Sequence, residues 1–257
     1  MIIGINGNIG SGKDLVGKII RNLTRPVTWN YVKIEEGEIN PMPLPSSWVI
    51  KKFAAKLKQI ASLLTGIPVE KFEDQEFKKS YLPDIWNEDI PEMKRVKARM
   101  TVREFLQKLG TEAIRDKLHK NTWVNALFTD YKLKVGQWDN IAIRDSWPNW
   151  IITDTRFPNE AQAIKDRRGL VIRVNRNLEQ VDYQTLEQRH PSETSLDNWN
   201  FDYIIDNNGT KEELIEKVGV FLKQFNLLDN GTIQQENNSS GKPEESTKEE
   251  NPQKGEG

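Results

Sequence analysis

The chain has 257 residues, with 37 Lys+Arg against 38 Asp+Glu, and contains no cysteine. That length allows one large α/β domain or two small ones. The balanced charge gives no bulk basicity for duplex nucleic acid, and the lack of cysteine excludes disulfides, thiolate catalysis and cysteine-bound zinc or iron–sulfur sites.

Ile2, Ile3 and Ile5 read as a short buried strand, and Gly7-Asn8-Ile9-Gly10-Ser11-Gly12-Lys13 follows at once. Leu15, Val16, Ile19 and Ile20 then recur at helical spacing. Strand, G-x-x-x-x-G-K and helix together form the P-loop signature. Glycines let successive N–H groups curl around phosphate oxygens, and the helix N-terminus adds partial positive charge. Gly7, Asn8, Gly10, Ser11, Gly12, Lys13 and Asp14 are therefore the nucleotide-binding candidates, with Lys13 reaching the β- and γ-phosphates. The general motif continues with Ser or Thr, but here Asp14 follows the lysine. Its carboxylate either ligates Mg²⁺, directly or through water, or caps the helix.

Val27 to Ile34 looks like a strand, and Glu35 to Ser47, with Gly37, Pro41, Pro43 and Pro45, like a loop. Trp48 to Phe53 reads as another strand. It feeds a helix with Phe53, Leu57, Ile60, Ala61 and Leu64 on one face, flanked by Lys56 and Lys58 and ended by Gly66 and Pro68. Val69 to Ser80 is helical, and the stretch to Met100 is polar and irregular. Thr101, with Glu104 three residues on, caps a helix whose stripe is Val102, Phe105, Leu106, Leu109 and Ala113. Arg103 and Gln107 lie one turn apart on another face. Asn121 to Lys132 continues as helix, with Trp123, Leu127 and Phe128 inward.

Trp150-Ile151-Ile152-Thr153 has the form of a central parallel strand and ends in Asp154, placed for the Walker-B role beside the P-loop. Arg156, two residues on, is a candidate phosphate contact. Pro158 starts a helix that Gly169 ends, and Leu170 to Val174 is the next strand. Asn175 to Asn200 is polar and without period. Tyr203 to Ile205 is a last strand, Thr210 to Glu213 a capping box, and Leu214, Val218, Phe221, Leu222 and Phe225 the stripe of a final helix. From about 228 onward apolar residues nearly vanish, and a disordered tail is expected.

These elements predict an α/β, three-layer P-loop kinase fold with a mostly parallel central sheet over 1–227, followed by the tail 228–257. Five blocks carry a resemblance to the deoxynucleoside monophosphate kinases of tailed bacteriophages. They are Gly10 to Asp14, Phe53 to Lys58, Thr101 to Glu112, Ile152 to Glu160 and His190-Pro191-Ser192-Glu193, in the family's order. The family also carries Asp after the P-loop lysine. It commonly has Thr or Ser next, where this chain has Leu15, which leaves Asp14 and Asp154 as the metal candidates. The resemblance implies transfer of the γ-phosphoryl of ATP, with Mg²⁺, to a deoxynucleoside 5′-monophosphate. It makes Lys13, Asp154 and Arg156 catalytic candidates, and Lys58, Arg103, Gln107 and Arg156 acceptor-site candidates. Arg176, His190 and Glu193 join them in a lid at about 175–200, and the acceptor-binding insert spans about 54–133.

ATP and the monophosphate are the expected partners, without nucleic acid or membrane, and a homodimer is left open. No apolar run approaches membrane-span length and Met1 leads straight into the first strand, so a cytoplasmic location is expected, the host's if the chain is viral. The rival readings are a P-loop kinase of another small acceptor and a nucleotide-binding or hydrolysing regulatory protein.

Overall fold

Along the chain, β1 (Ile2–Asn6) is buried at every position and leads through the glycine-rich loop into α1 (Lys13–Leu23). In this computed structural model, residues 1–35, 38–43, 45–86, 88–89, 97–138, 141–177 and 194–228 are described. They fall into two units, residues 1–25 with the described residues of 45–228, and the described residues of 26–43. In the second unit, β2 (Val27–Glu35) and β3 (Glu38–Pro43) pair antiparallel. The loop expected over Glu35 to Ser47 is thus partly a strand. Pro41 and Pro43 are tolerated there because both strands of a two-stranded ribbon are edges. The expected tail lies outside the described residues.

The first unit continues with β4 (Trp48–Lys51) and α2 (Ala55–Thr65), which ends at Gly66 in the left-handed conformation. Two 3₁₀ turns, Val69–Glu73 and Phe77–Lys79, occupy the segment expected to be helical. A third turn, Asp84–Trp86, follows, and then the short pair β5 (Glu88–Asp89) and β6 (Lys97–Ala98). Thr101 caps α3 (Val102–Gln107) in the expected box with Glu104, and the helix widens into a π-helical stretch, Lys108–Leu118. Next come α4 (Thr122–Phe128) and the hairpin β7 (Lys134–Trp138) and β8 (Ile141–Ser146), which was not expected. The remainder is β9 (Asn149–Ile152), α5 (Pro158–Lys165), β10 (Leu170–Asn175), β11 (Tyr203–Asp206) and α6 (Lys211–Gln224).

Five strands form one wholly parallel sheet in the order β11-β10-β1-β9-β4. Both faces are buried, so alternate residues of one strand feed different cores. Ile3, Ile5, Ile151, Ile172 and Val174 pack with Val16, Ile19 and Ile20 of α1 and with Leu214, Val218 and Phe221 of α6. Ile2, Trp150, Ile152 and Val171 pack on the opposite face with Trp123, Leu127 and Phe128 of α4 and Ala161 and Ile164 of α5. A smaller third core joins Ala61, Phe72, Leu82, Val102 and Phe105, and carries the arm of α2, α3 and the 3₁₀ turns. The chain leaves the central β1 for one side of the sheet, β4 and β9, and returns to the other, β10 and β11. The P-loop therefore opens at the switch point, where such sheets bind ligands.

Three expectations are corrected. Around α2, Phe53, Leu57, Ile60 and Ala61 pack inward as expected, but Leu64 is exposed and Lys58 is buried. Ala113 is exposed while Ile114 packs against the second core, because the wider π turn rotates the later residues. The helix ahead of β10 reverses at Arg168, with φ 56°, rather than at Gly169.

Candidate active site

The P-loop is shaped by its own backbone and by a distant strand end. Gly7, Gly10 and Gly12 all have positive φ, and the N–H of Ser11 donates to the Asn8 carbonyl at 3.1 Å. Gly12, at φ 96°, is the residue before α1, and a Cβ there would run into the amide of Asn207. That amide, buried at the end of β11, donates to the Ser11 carbonyl at 2.8 Å and fixes the loop from outside. The Lys13 ammonium donates to the Gly7 and Asn8 carbonyls, both at 2.8 Å. It thus lies folded along the loop that its charge is suited to complete around a phosphate.

Asp14 does not cap α1 through its side chain. Its Oδ1 accepts the Thr153 hydroxyl at 2.6 Å and lies 3.4 Å from the Lys52 ammonium. Burial alone pushes this carboxyl up, but the Thr153 hydrogen bond and the charges of Lys52 and Lys13 outweigh it and hold it below its usual value. Asp154, at the end of the same strand, is buried. Its two oxygens accept the backbone N–H groups of Phe53 and Ala54 at 2.7 and 2.9 Å, directly before α2. It therefore fastens the β4–α2 connection, a role the strand-end pattern did not announce.

A cleft of about 590 Å³ joins this loop to the arm. Gly10, Gly12, Lys13, Asp14 and Asp154 contribute to its lining from the P-loop side of the fold, and Lys58, Lys78, Arg103 and Gln107 from the arm. Leu57, Leu106 and Trp123 supply an apolar wall. Arg156 also lines the cleft. The structure therefore brings together Lys13, Asp14, Lys58, Arg103, Gln107, Asp154 and Arg156. Arg176 is exposed just beyond β10 and is not part of the lining, while His190 and Glu193 lie outside the described residues.

Sequence reasoning missed Lys52, Glu73 and Lys78. Glu73, on the first 3₁₀ turn, bridges two lysines, with Oε1 2.6 Å from the Lys58 ammonium and Oε2 3.1 Å from that of Lys52. Burial opposes both charges of the Lys52–Glu73 pair, yet the opposite partners prevail. They raise Lys52 and lower Glu73 from their ordinary values. Lys78 differs, since burial and the nearby charges of Lys58, Arg103 and Lys52 outweigh Glu73 and bring it down to about 8.

Glu160 was also missed, and it is wholly buried beneath Arg156. Its Oε2 accepts the N–H groups of Arg156 and Phe157 at 2.7 and 3.1 Å, holding the turn that aims Arg156. Burial, with the charge of Asp154 adding to it, pushes the carboxyl up from 4.5 to about 8. In that window the folded chain keeps a proton that the unfolded chain has lost, so stability falls as pH rises through it. Glu160→Gln keeps the acceptor oxygen and removes the ionisation. It should gain on the order of 2–4 kcal/mol over the natural chain between pH 5 and pH 9. Urea melts at both pH values check this, and parallel curves would contradict it.

A family model described as deoxynucleotide monophosphate kinase matches residues 40–218. A putative deoxynucleotide monophosphate kinase of Acanthamoeba polyphaga mimivirus is 26% identical over 179 residues, covering 66% of this chain and 81% of that protein. The deoxynucleotide monophosphate kinase of Enterobacteria phage T4 is 27% identical over 150 residues, covering 58% of this chain and 57% of that protein. The family match begins after the P-loop, so the loop's geometry is evidence independent of it. Since the matched residues take in well over half of the sequence, together with α2, α3 and the Asp154–Arg156 turn, this chain belongs to the deoxynucleotide monophosphate kinase family.

Proposed function

We propose that the chain transfers the γ-phosphoryl group of ATP to a deoxynucleoside 5′-monophosphate, giving ADP and the deoxynucleoside diphosphate. The observation that carries this reading is a single cleft lined both by the P-loop and by a second set of cations from the arm, Lys58 and Arg103. The P-loop suits the donor triphosphate and the second set the acceptor phosphate. The bond from the γ-phosphorus to the β–γ bridging oxygen breaks, and a bond from the same phosphorus to an acceptor phosphate oxygen forms. The acceptor is already an anion at neutral pH, so no strong general base is needed. The residues instead supply positioning and positive charge.

In this reading the P-loop N–H groups and Lys13 hold the β- and γ-phosphates. Arg156 follows the transferred group, and Arg103, Gln107 and Lys58 hold the acceptor. The insert about 54–133 is the acceptor arm, and the lid about 175–200, with Arg176, His190 and Glu193, excludes water. The donor set fits Mg²⁺, which is usually held by one or two carboxylates plus substrate phosphates. Asp14 faces the cleft mouth, whereas Asp154 has both oxygens engaged and would reach the ion through its remaining lone pairs or a water. When bound, the ion neutralises phosphate oxygens. Among the described residues no three acidic or histidine side chains gather to hold a metal by themselves, so it would arrive with the nucleotide. No helix of the described residues is long and apolar enough to cross a membrane.

A coupled assay over deoxy- and ribonucleoside monophosphates tests the assignment. ATP turnover that ignores every monophosphate would favour the hydrolytic reading. Arg103→Ala should lower kcat/KM for the acceptor by roughly ten- to hundred-fold, the worth of one charge-assisted phosphate bond, and leave ATP affinity nearly intact. Calorimetry with each ligand separately checks this. Weakened ATP binding with unchanged monophosphate binding would put the acceptor elsewhere.

A further inference from the structure

The arm side of the cleft holds more positive charge than its one internal carboxylate balances. Lys58 is buried, with only 8% of its surface exposed, and pairs with Glu73. Lys52 pairs with the other oxygen of the same carboxylate. The Arg103 guanidinium donates to the Gln75 side-chain oxygen at a long 3.4 Å, and among the described residues the Lys78 ammonium has no hydrogen bond or ion pair. All of these side chains line the same space. Lys52 is shared between Glu73 and Asp14, so Glu73 alone answers for Lys58, Lys78 and Arg103, in a place where burial makes unbalanced charge costly.

Resting on the kinase reading above, we propose that Lys78 is an acceptor-phosphate residue acting with Lys58 and Arg103, and that Glu73 is a resident stand-in for that phosphate. Glu73 engages Lys58 and Lys52 with its two carboxylate oxygens. An arriving phosphate dianion offers three oxygens and a second charge, takes over Lys58, and engages Lys78 and Arg103, which Glu73 does not satisfy. Glu73 is half exposed on a short 3₁₀ turn, so it can swing toward water at little cost to the core. The arrangement sets a threshold, because a ligand with no phosphate, or with a weaker anion, does not displace it.

The exchange has a proton signature. Lys78 is brought down to about 8 because burial, together with the charges of Lys58 on α2, Arg103 on α3 and Lys52 just after β4, outweighs Glu73. A bound phosphate reverses that balance and returns Lys78 to the charged state. At pH 8, where the phosphate is already a dianion, binding should take up roughly half a proton.

The test is calorimetry at pH 8 with inorganic phosphate and with each of the four common deoxynucleoside monophosphates. Each titration is run in two buffers of different ionisation enthalpy, alongside steady-state kinetics. Lys78→Gln should raise Kd and acceptor KM about ten-fold or more at nearly constant kcat and abolish the proton uptake, while Lys78→Arg restores most of the affinity. Glu73→Gln should tighten inorganic phosphate and monophosphate binding several-fold, since it frees the two lysines. A merely structural carboxylate would do the opposite, and weaker binding in Glu73→Gln overturns the proposal. So does unchanged affinity in Lys78→Gln. If the natural chain phosphorylates a monophosphate and these variants behave as it does, the inference alone fails. If no monophosphate is phosphorylated, the kinase reading fails, and the inorganic phosphate titrations still report on the cation cluster.

Discussion

Lys13→Ala should reduce phosphoryl transfer by roughly 10²–10³-fold or more while leaving the fold in place. The magnitude follows from removing a positioned charge at the place where negative charge spreads over the transferred group. In the empty loop this ammonium donates to the Gly7 and Asn8 carbonyls, so the loop loses two contacts as well as the charge. Both contacts are at least partly open to water, and their loss should lower the melting temperature by only a few degrees. Activity and thermal melting of the same preparation separate the two effects. Near-normal turnover in a folded Lys13→Ala protein would remove the P-loop from the mechanism.

The second large effect is expected at Asp154, in stability as well as rate. Asp154→Ala takes the acceptor from the Phe53 and Ala54 N–H groups at once, and Phe53 is a core residue. Leaving two such donors unsatisfied should cost about 2–5 kcal/mol, or roughly 5–15 °C in melting temperature for a domain of this size. The β4–α2 connection also carries Lys52 and leads to Lys58, so kcat and acceptor KM should both suffer. Asp154→Asn retains an acceptor oxygen and separates fastening from metal binding. If it melts near the natural chain but needs far more Mg²⁺ for half-maximal rate, the carboxylate serves the ion too. An unchanged melting temperature in Asp154→Ala would contradict the fastening role.

The sheet was legible because its strands are short apolar runs buried on both faces, as in Ile2–Asn6 and Asn149–Ile152. The caps at Thr101 and Thr210 were legible because capping chemistry is local, spanning three residues. Of the P-loop candidates, Gly10, Gly12, Lys13 and Asp14 line the cleft, as does Arg103, all read from motif spacing and resemblance alone, whereas Gly7, Asn8 and Ser11 do not line it. Glu73, Lys78 and Glu160 could not be read in this way. Each is a charged residue whose meaning comes from partners on other elements, and in the sequence it looks like any solvated side chain. Lys52 gave a faint signal, since adjacent residues at a strand end point to opposite faces and one of Lys51 and Lys52 must turn toward the loop. Neither the π-helical turn at Lys108–Leu118 nor its effect on Ala113 has a period that an α-helical reading would reveal.

The hydrogen bond from Asn207 to the Ser11 carbonyl joins residues 196 positions apart. It gives the nucleotide loop a birth date. The loop leaves the ribosome well before β11, and β1 waits for both of its neighbours, β9 and β10. The brace at Ser11 closes only after β11 has emerged. At ordinary elongation rates that interval is roughly 10–40 s, during which the glycine-rich segment exists without its brace. Nascent chains stopped before residue 207 should therefore fail to retain nucleotide even though they carry the complete motif. Assembly of this site is a late event in the life of the polypeptide, decided by the last strand to join the sheet.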